Sequence, residues 1–145
     1  MAHYVTPHFT VEEFARFARP DKGFPQTIPY PEEWIGSRLK PLCSQLEIIR
    51  AELGGHSMKV NSGYRDPNYN AAIKGALMSQ HMAGRAADIT VAGINAETVH
   101  AAVLAMCKAG KLPLVRGLGH YPTFAHVDIR ESATLVQWVG ARRES

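Results

Sequence analysis

Residues 79–91 read SQHMAGRAADITV, and the reading of this stretch decides the fold. Its second half, AADITV at 86–91, has the composition of a strand. Its first half is a polar loop carrying His81 and Gly84. His81 and Asp88 stand seven residues apart with small residues between them, so a loop His and a strand Asp can converge on one point. His126 lies in a second predicted strand, FAHVDI at 124–129, flanked by apolar residues. Two imidazoles and one carboxylate make a three-ligand zinc site with a fourth position open for water. Spacing alone favours a plainer reading, a surface loop His beside a capping Asp.

Outward from this stretch, Thr10-Val11-Glu12-Glu13 fits a capping box and predicts a short helix carrying Phe14 and Phe17 toward the core. Residues 18–31 (ARPDKGFPQTIPYP) form a Pro-rich connector. From Pro31 the pattern is helical, with Leu39, Leu42, Leu46, Ile49 and Leu53 on one face. Pro41 kinks this helix or lies in the first turn of its second half, and Gly54-Gly55 ends it. A strand near 58–61 and a short helix near 67–73 follow. Asn95 caps a helix over 96–109 that Gly110 closes. Further strands are predicted at 114–118, 124–129 and 135–139. Helices early and between, with a largely antiparallel sheet late, give an α+β fold. Residues 1–145 are read as one domain, with residues 1–30 as an N-terminal helix and connector packing on it.

Composition narrows the function. At 145 residues, 46% apolar and 20% charged, the chain has the make-up of one globular domain and not of a disordered segment. No apolar run approaches the ~20 residues that span a bilayer, and the opening MAHYVTPHFTVEEF lacks the features of a secretory signal. Sixteen basic side chains against 13 acidic ones, all dispersed, give no stripe for nucleic acid. Two Cys cannot make a disulfide framework, and Cys43 and Cys107 read as small buried hydrophobes. His3, His8, His56 and His100 read as solvated or locally bonded, and Trp34, Trp138 and Phe124 as core.

The segments SGYRDPNYN (62–70), SQHMAGRAADI (79–89) and FAHVD (124–128) together resemble the zinc D-Ala-D-Ala peptidase family of peptidoglycan metallopeptidases. That family belongs to the group that includes lysostaphin-like endopeptidases and the zinc-binding fold of hedgehog proteins. The resemblance runs from FTVEEF to HVDIR, most of the chain. The motif S-x-H-x-x-G-x-A-x-D is complete as Ser79, His81, Gly84, Ala86 and Asp88, and Arg65 stands 16 residues ahead of His81. The resemblance implies one zinc per chain, bound by His81, Asp88 and His126 in a cleft on the sheet. It implies that Arg65 engages a substrate carboxylate or the oxygen that gains charge, as a planar guanidinium can. Ser79 would contact substrate, and Ser79 and Gln80 would shape the loop rather than react. Tyr64 and Asn70 match bracing positions, or are plain turn residues.

One position departs from the pattern. Several branches carry an acidic general base three residues before the last zinc His, where this chain has Thr123. The sequence resembles instead the branch with F-x-H-x-D, in which Asp128 shares a strand face with His126. Asp128 would take a proton from zinc-bound water, or hold His120 or His126 as a supporting partner. His120 would stabilise an oxyanion or shuttle a proton.

The implied activity is zinc-dependent hydrolysis of amide bonds in peptidoglycan stem peptides or cross-links, as carboxypeptidase or endopeptidase, by a monomer. The partner is a muropeptide, with neither nucleic acid nor membrane insertion. Without a visible signal, the chain fits a phage or prophage lysis protein made in the cytoplasm and released to the wall through a membrane pore, or a chain that has lost its leader. The competing expectations are a non-catalytic zinc-binding wall domain and a phage structural protein on the same fold.

Overall fold

Thr10 caps the first turn in the computed structural model, which describes residues 2–16, 23 and 27–140. The Glu13 N–H donates to Thr10 Oγ1 at 3.3 Å, and the Thr10 N–H donates to the Glu13 carboxylate at 2.7 Å. A small antiparallel ribbon, β1 (Tyr4–Thr6) and β2 (Phe9–Thr10), leads into this turn. The turn itself, Val11–Phe14, is 3₁₀ rather than α. The carbonyls that would extend it are used elsewhere: Phe14 accepts from Tyr64 N–H and Ala15 from Ile28 N–H. Phe9 and Phe14 are fully buried, while Phe17 lies outside the described residues.

The single helix expected from Pro31 has three windings. A 3₁₀ turn (Glu32–Trp34) passes into a π-helical segment (Ile35–Leu39) and then into α1 (Lys40–Glu52). Pro41 falls in the first turn of α1, where its missing N–H leaves no intrahelical bond unmade. The wider turn just before it is closed by Lys40 N–H donating to Ile35 O. Leu42, Cys43, Leu46 and Ile49 form the buried stripe of α1.

The main sheet has five strands: β3 (Met58–Ser62), β4 (Ala86–Val91), β5 (Gly117–His120), β6 (Ala125–Asp128) and β7 (Val136–Val139). Their spatial order is β3-β4-β6-β5-β7, antiparallel throughout except that β7 joins β5 in parallel. The helix α2 (Pro67–Ala72) follows β3 and is capped by Asp66. The helix α3 (Ala96–Lys108), capped by Asn95, packs across β4, β5 and β6. Strand β5 begins three residues later than expected. Leu112–Arg116 is spent on a turn, with Val115 N–H donating to Leu112 O and Leu114 N–H to the Gln45 side chain.

Alternation along the strands separates two faces. Val60, Ala87, Ile89, Leu118, Ala125 and Val127 join α1 and α3 in one apolar core that also takes in Phe9, Phe14 and Tyr30. Asp88, His126 and Asp128 fall on the other face, in register as Asp88↔His126 and Gly117↔Asp128. The fold is α+β, and its sheet presents one row of polar side chains from two adjacent strands.

Candidate metal centre

His126 and Asp88 face each other across β6 and β4, and the loop 79–85 brings His81 onto the same point. Gly84 makes that loop possible, with φ at +69° and its carbonyl accepting from Tyr30 Oη at 2.6 Å. A Cβ there would stand 2.6 Å from the same hydroxyl. Arg38 Nη1 donates to Ala83 O at 2.8 Å and pins the loop a second time. Ser79 Oγ accepts the His81 N–H at 3.2 Å.

The three ligand candidates are almost wholly buried. Asp88 Oδ1 lies 3.2 Å from His81 Nε2 and 3.1 Å from His126 Nδ1, and one ligand atom from each residue falls within 4.8 Å of the others. Zinc bonds of ~2.0–2.2 Å place neighbouring atoms of a tetrahedron ~3.4 Å apart, close to the separations of Asp88 Oδ1 from the two imidazoles.

The remaining ring nitrogens fix the tautomers. His81 Nδ1 lies 2.7 Å from Gly63 O, and a carbonyl only accepts, so this nitrogen carries the proton. His126 Nε2 lies 2.7 Å from Asp128 Oδ2 and likewise donates. Both inward nitrogens are thereby aimed at Asp88 as positions for a cation. Burial, with the Arg65 charge adding to it, pushes the His81 pKa down to about 4 and keeps that ring neutral. Burial also opposes charge on His126, but the carboxylates of Asp128 and Asp88 outweigh it and raise its pKa. Burial opposes ionisation of Asp88 too, yet the two imidazoles hold its carboxyl far below the usual range.

Arg65 is buried, 1% exposed, behind this group. Its guanidinium donates to Ser62 Oγ at 3.1 Å, Asn70 Oδ1 at 3.2 Å and Asp88 Oδ2 at 3.4 Å. Asn70 in turn donates to Ala76 O, and Tyr64 packs edge-on against Tyr30 and Trp34. Asp128 is fully buried, held by Arg130 through Nε at 2.9 Å, Nη2 at 2.7 Å and the backbone N–H at 3.0 Å. Gly117 opposite it has no side chain because a Cβ would overlap that carboxylate. His120 is not brought to the group: it alternates onto the core face of β5 and stacks on His100 of α3, centroids 4.6 Å apart. Thr123 is exposed in the turn between β5 and β6.

A cleft of about 370 Å³ opens beside His126, lined by Ala76, Met78, Ser79, Gln80, Tyr121, Arg130 and Trp138. Trp138, expected in the core, is one wall of it. Its ring lies 4.9 Å from that of His126, and its Nε1–H donates to Tyr121 Oη at 2.9 Å. Phe124 is core, stacked on Tyr121. Sequence reasoning missed Arg130, although the step of two that links His126 to Asp128 also leads from Asp128 to Arg130.

An α+β domain with a buried His-Asp-His group beside an open cleft has the layout of a metal-dependent enzyme. The family model described as Peptidase M15 matches residues 7–128, and the chain belongs to that family. No curated protein matches the chain. Membership places the chain among the metallopeptidases, whose members are zinc peptidases, and His81, Asp88 and His126 could bind the metal. Among the described residues, no helix is long and apolar enough to cross a membrane.

Proposed function

We propose that the chain hydrolyses amide bonds in peptidoglycan stem peptides or cross-links, with one zinc held by His81, Asp88 and His126. The observation that carries this reading is the convergence of two tautomer-fixed imidazoles and one carboxylate beside an open cleft. When bound, zinc supplies a Lewis acid for the scissile carbonyl and lowers the pKa of its water toward ~7.

The residues around the group have separable tasks. Asp128 accepts from His126 Nε2, the nitrogen that faces away from Asp88, so it orients the ligand rather than receiving a proton at the reacting centre. Arg65 balances and positions Asp88 from behind. Ser79 lines the cleft and fixes the His81 backbone, and is the proposed substrate contact of the loop. His120, on the far face, has no task in the reaction.

The proposed substrate is a muropeptide, the chain acting as a monomer on the wall after release from the cytoplasm, in the manner of a phage lysis enzyme. A second reading, a non-catalytic zinc-binding wall domain, draws on one observation. Among the described residues, no Asp or Glu lines the cleft as a general base would. Zinc-loaded protein added to purified sacculi separates the two. Release of new amino groups, abolished by chelator, is expected; binding to sacculi without release supports the second reading.

A further inference from the structure

The charged end of a substrate needs a partner in the cleft, and Arg65 does not line it. Among the described residues that do, Arg130 is the sole Lys or Arg. Arg130 uses one edge of its guanidinium, Nε and Nη2, on the two oxygens of Asp128. A guanidinium has five N–H donors, so the Nη1/Nη2 edge can still grip a second carboxylate through two parallel bonds. The group is also held in place. Asp128 fixes one edge, and Cζ lies 5.0 Å from the Trp138 ring centroid. Trp138 is itself tied to Tyr121 and lies so close over Gly119 that a Cβ there would come within 2.7 Å of its ring. A cation held this way loses little freedom on binding.

We propose that Arg130 is the specificity residue of the cleft: it takes a free carboxylate on the residue beside the scissile amide.

This rests on the peptidase reading, and such a carboxylate has two sources in the wall. It is the C-terminus of an uncross-linked stem, or the free carboxyl of a diamino acid in a cross-link. Two substrate pairs tell them apart: a stem pentapeptide and its C-terminal amide, and a cross-linked dimer with that carboxyl free or amidated. The zinc-loaded wild-type chain is expected to prefer the carboxylate member of at least one pair by about 10- to 100-fold in kcat/KM, the range for bonds to a charged group. In Arg130→Gln the preference falls to near one with zinc retained, and Arg130→Lys keeps part of it. A wild-type chain that cuts both members of each pair at the same rate overturns the inference while the peptidase reading stands. If wild type cuts neither pair, the peptidase reading fails. Calorimetry with the same peptides then decides the inference: carboxylate-selective binding lost in Arg130→Gln upholds it, and unselective or undetectable binding overturns it.

Discussion

His126 is the residue on which both aspects of the site meet, with one ring nitrogen aimed at Asp88 and the other at Asp128. The F-x-H-x-D pattern leaves two roles open for Asp128, and the proposed one is that of a supporting partner to His126. A supporting partner acts on the metal through the imidazole, so Asp128→Asn should weaken zinc affinity by ~10–100-fold, with turnover recovering in excess metal. Competition against a chromophoric chelator measures the first effect and titration with zinc the second. Unchanged affinity with turnover down by ~10²–10⁴-fold at saturating zinc would make Asp128 the base instead. The candidate His-Asp-His group was legible because each potential ligand is announced by its own side chain. The environment of Arg65 was not: the residue is visible in SGYR, but its partners Ser62, Asn70 and Asp88 come from β3, α2 and β4. Trp138 was misplaced because an aromatic in an apolar strand reads the same whether its face is covered by core or opens on a cleft.

Elements were legible where a local side chain fixes them. Thr10 and Asn95 cap as their sequences dictate, because a cap is a contact within four residues. The late start of β5 depends on a distant partner, the Gln45 side chain, and periodicity carries neither it nor the π-helical winding before Pro41. Strand β5 hides further because Gly117 and Gly119 replace the side chains that would mark it. The loop that delivers His81 depends on Gly84, where φ is +69° and Tyr30 Oη crowds the missing Cβ. Gly84→Ala should therefore cost ~1–3 kcal/mol for the backbone alone, with further loss from displacing Tyr30. Chemical denaturation of the metal-free forms measures it, and a loss below ~0.5 kcal/mol would show that the loop is not held this way.

At the scale of the whole molecule, the proposed metal binding would be linked to folding, since the candidate ligands come from a loop and two strands brought together only in the native state. At free zinc ~1,000-fold above Kd the native state gains ~4 kcal/mol, so chelation should lower Tm by roughly 10 °C or more. Calorimetric scans with and without chelator check this, and an unchanged Tm would mean no metal is held. Binding should also be pH-dependent. The carboxylates beside His126 raise its pKa, so in the metal-free native chain it keeps a proton to higher pH than a free imidazole, whereas His81, near 4, loses its proton well below that. Zinc displaces that proton, so affinity rises as pH rises through the raised His126 value. The binding enthalpy at pH 6.5 should then vary with the ionisation heat of the buffer, and a buffer-independent enthalpy would contradict the assignment. The α+β architecture was readable from the order of helical and strand patterns. The parallel pairing of β7 with β5 was not, because direction of pairing leaves no mark in composition.

The central claim is that His81, Asp88 and His126 hold the zinc that cleaves wall peptides. Mass analysis of products from defined muropeptides tests it most directly, using zinc-loaded protein, chelated protein and His126→Ala. The account predicts a product shorter by a fixed peptide fragment in the first sample alone. Equal cleavage by the chelated protein or by His126→Ala, or intact muropeptides with the fully zinc-loaded chain, would contradict it.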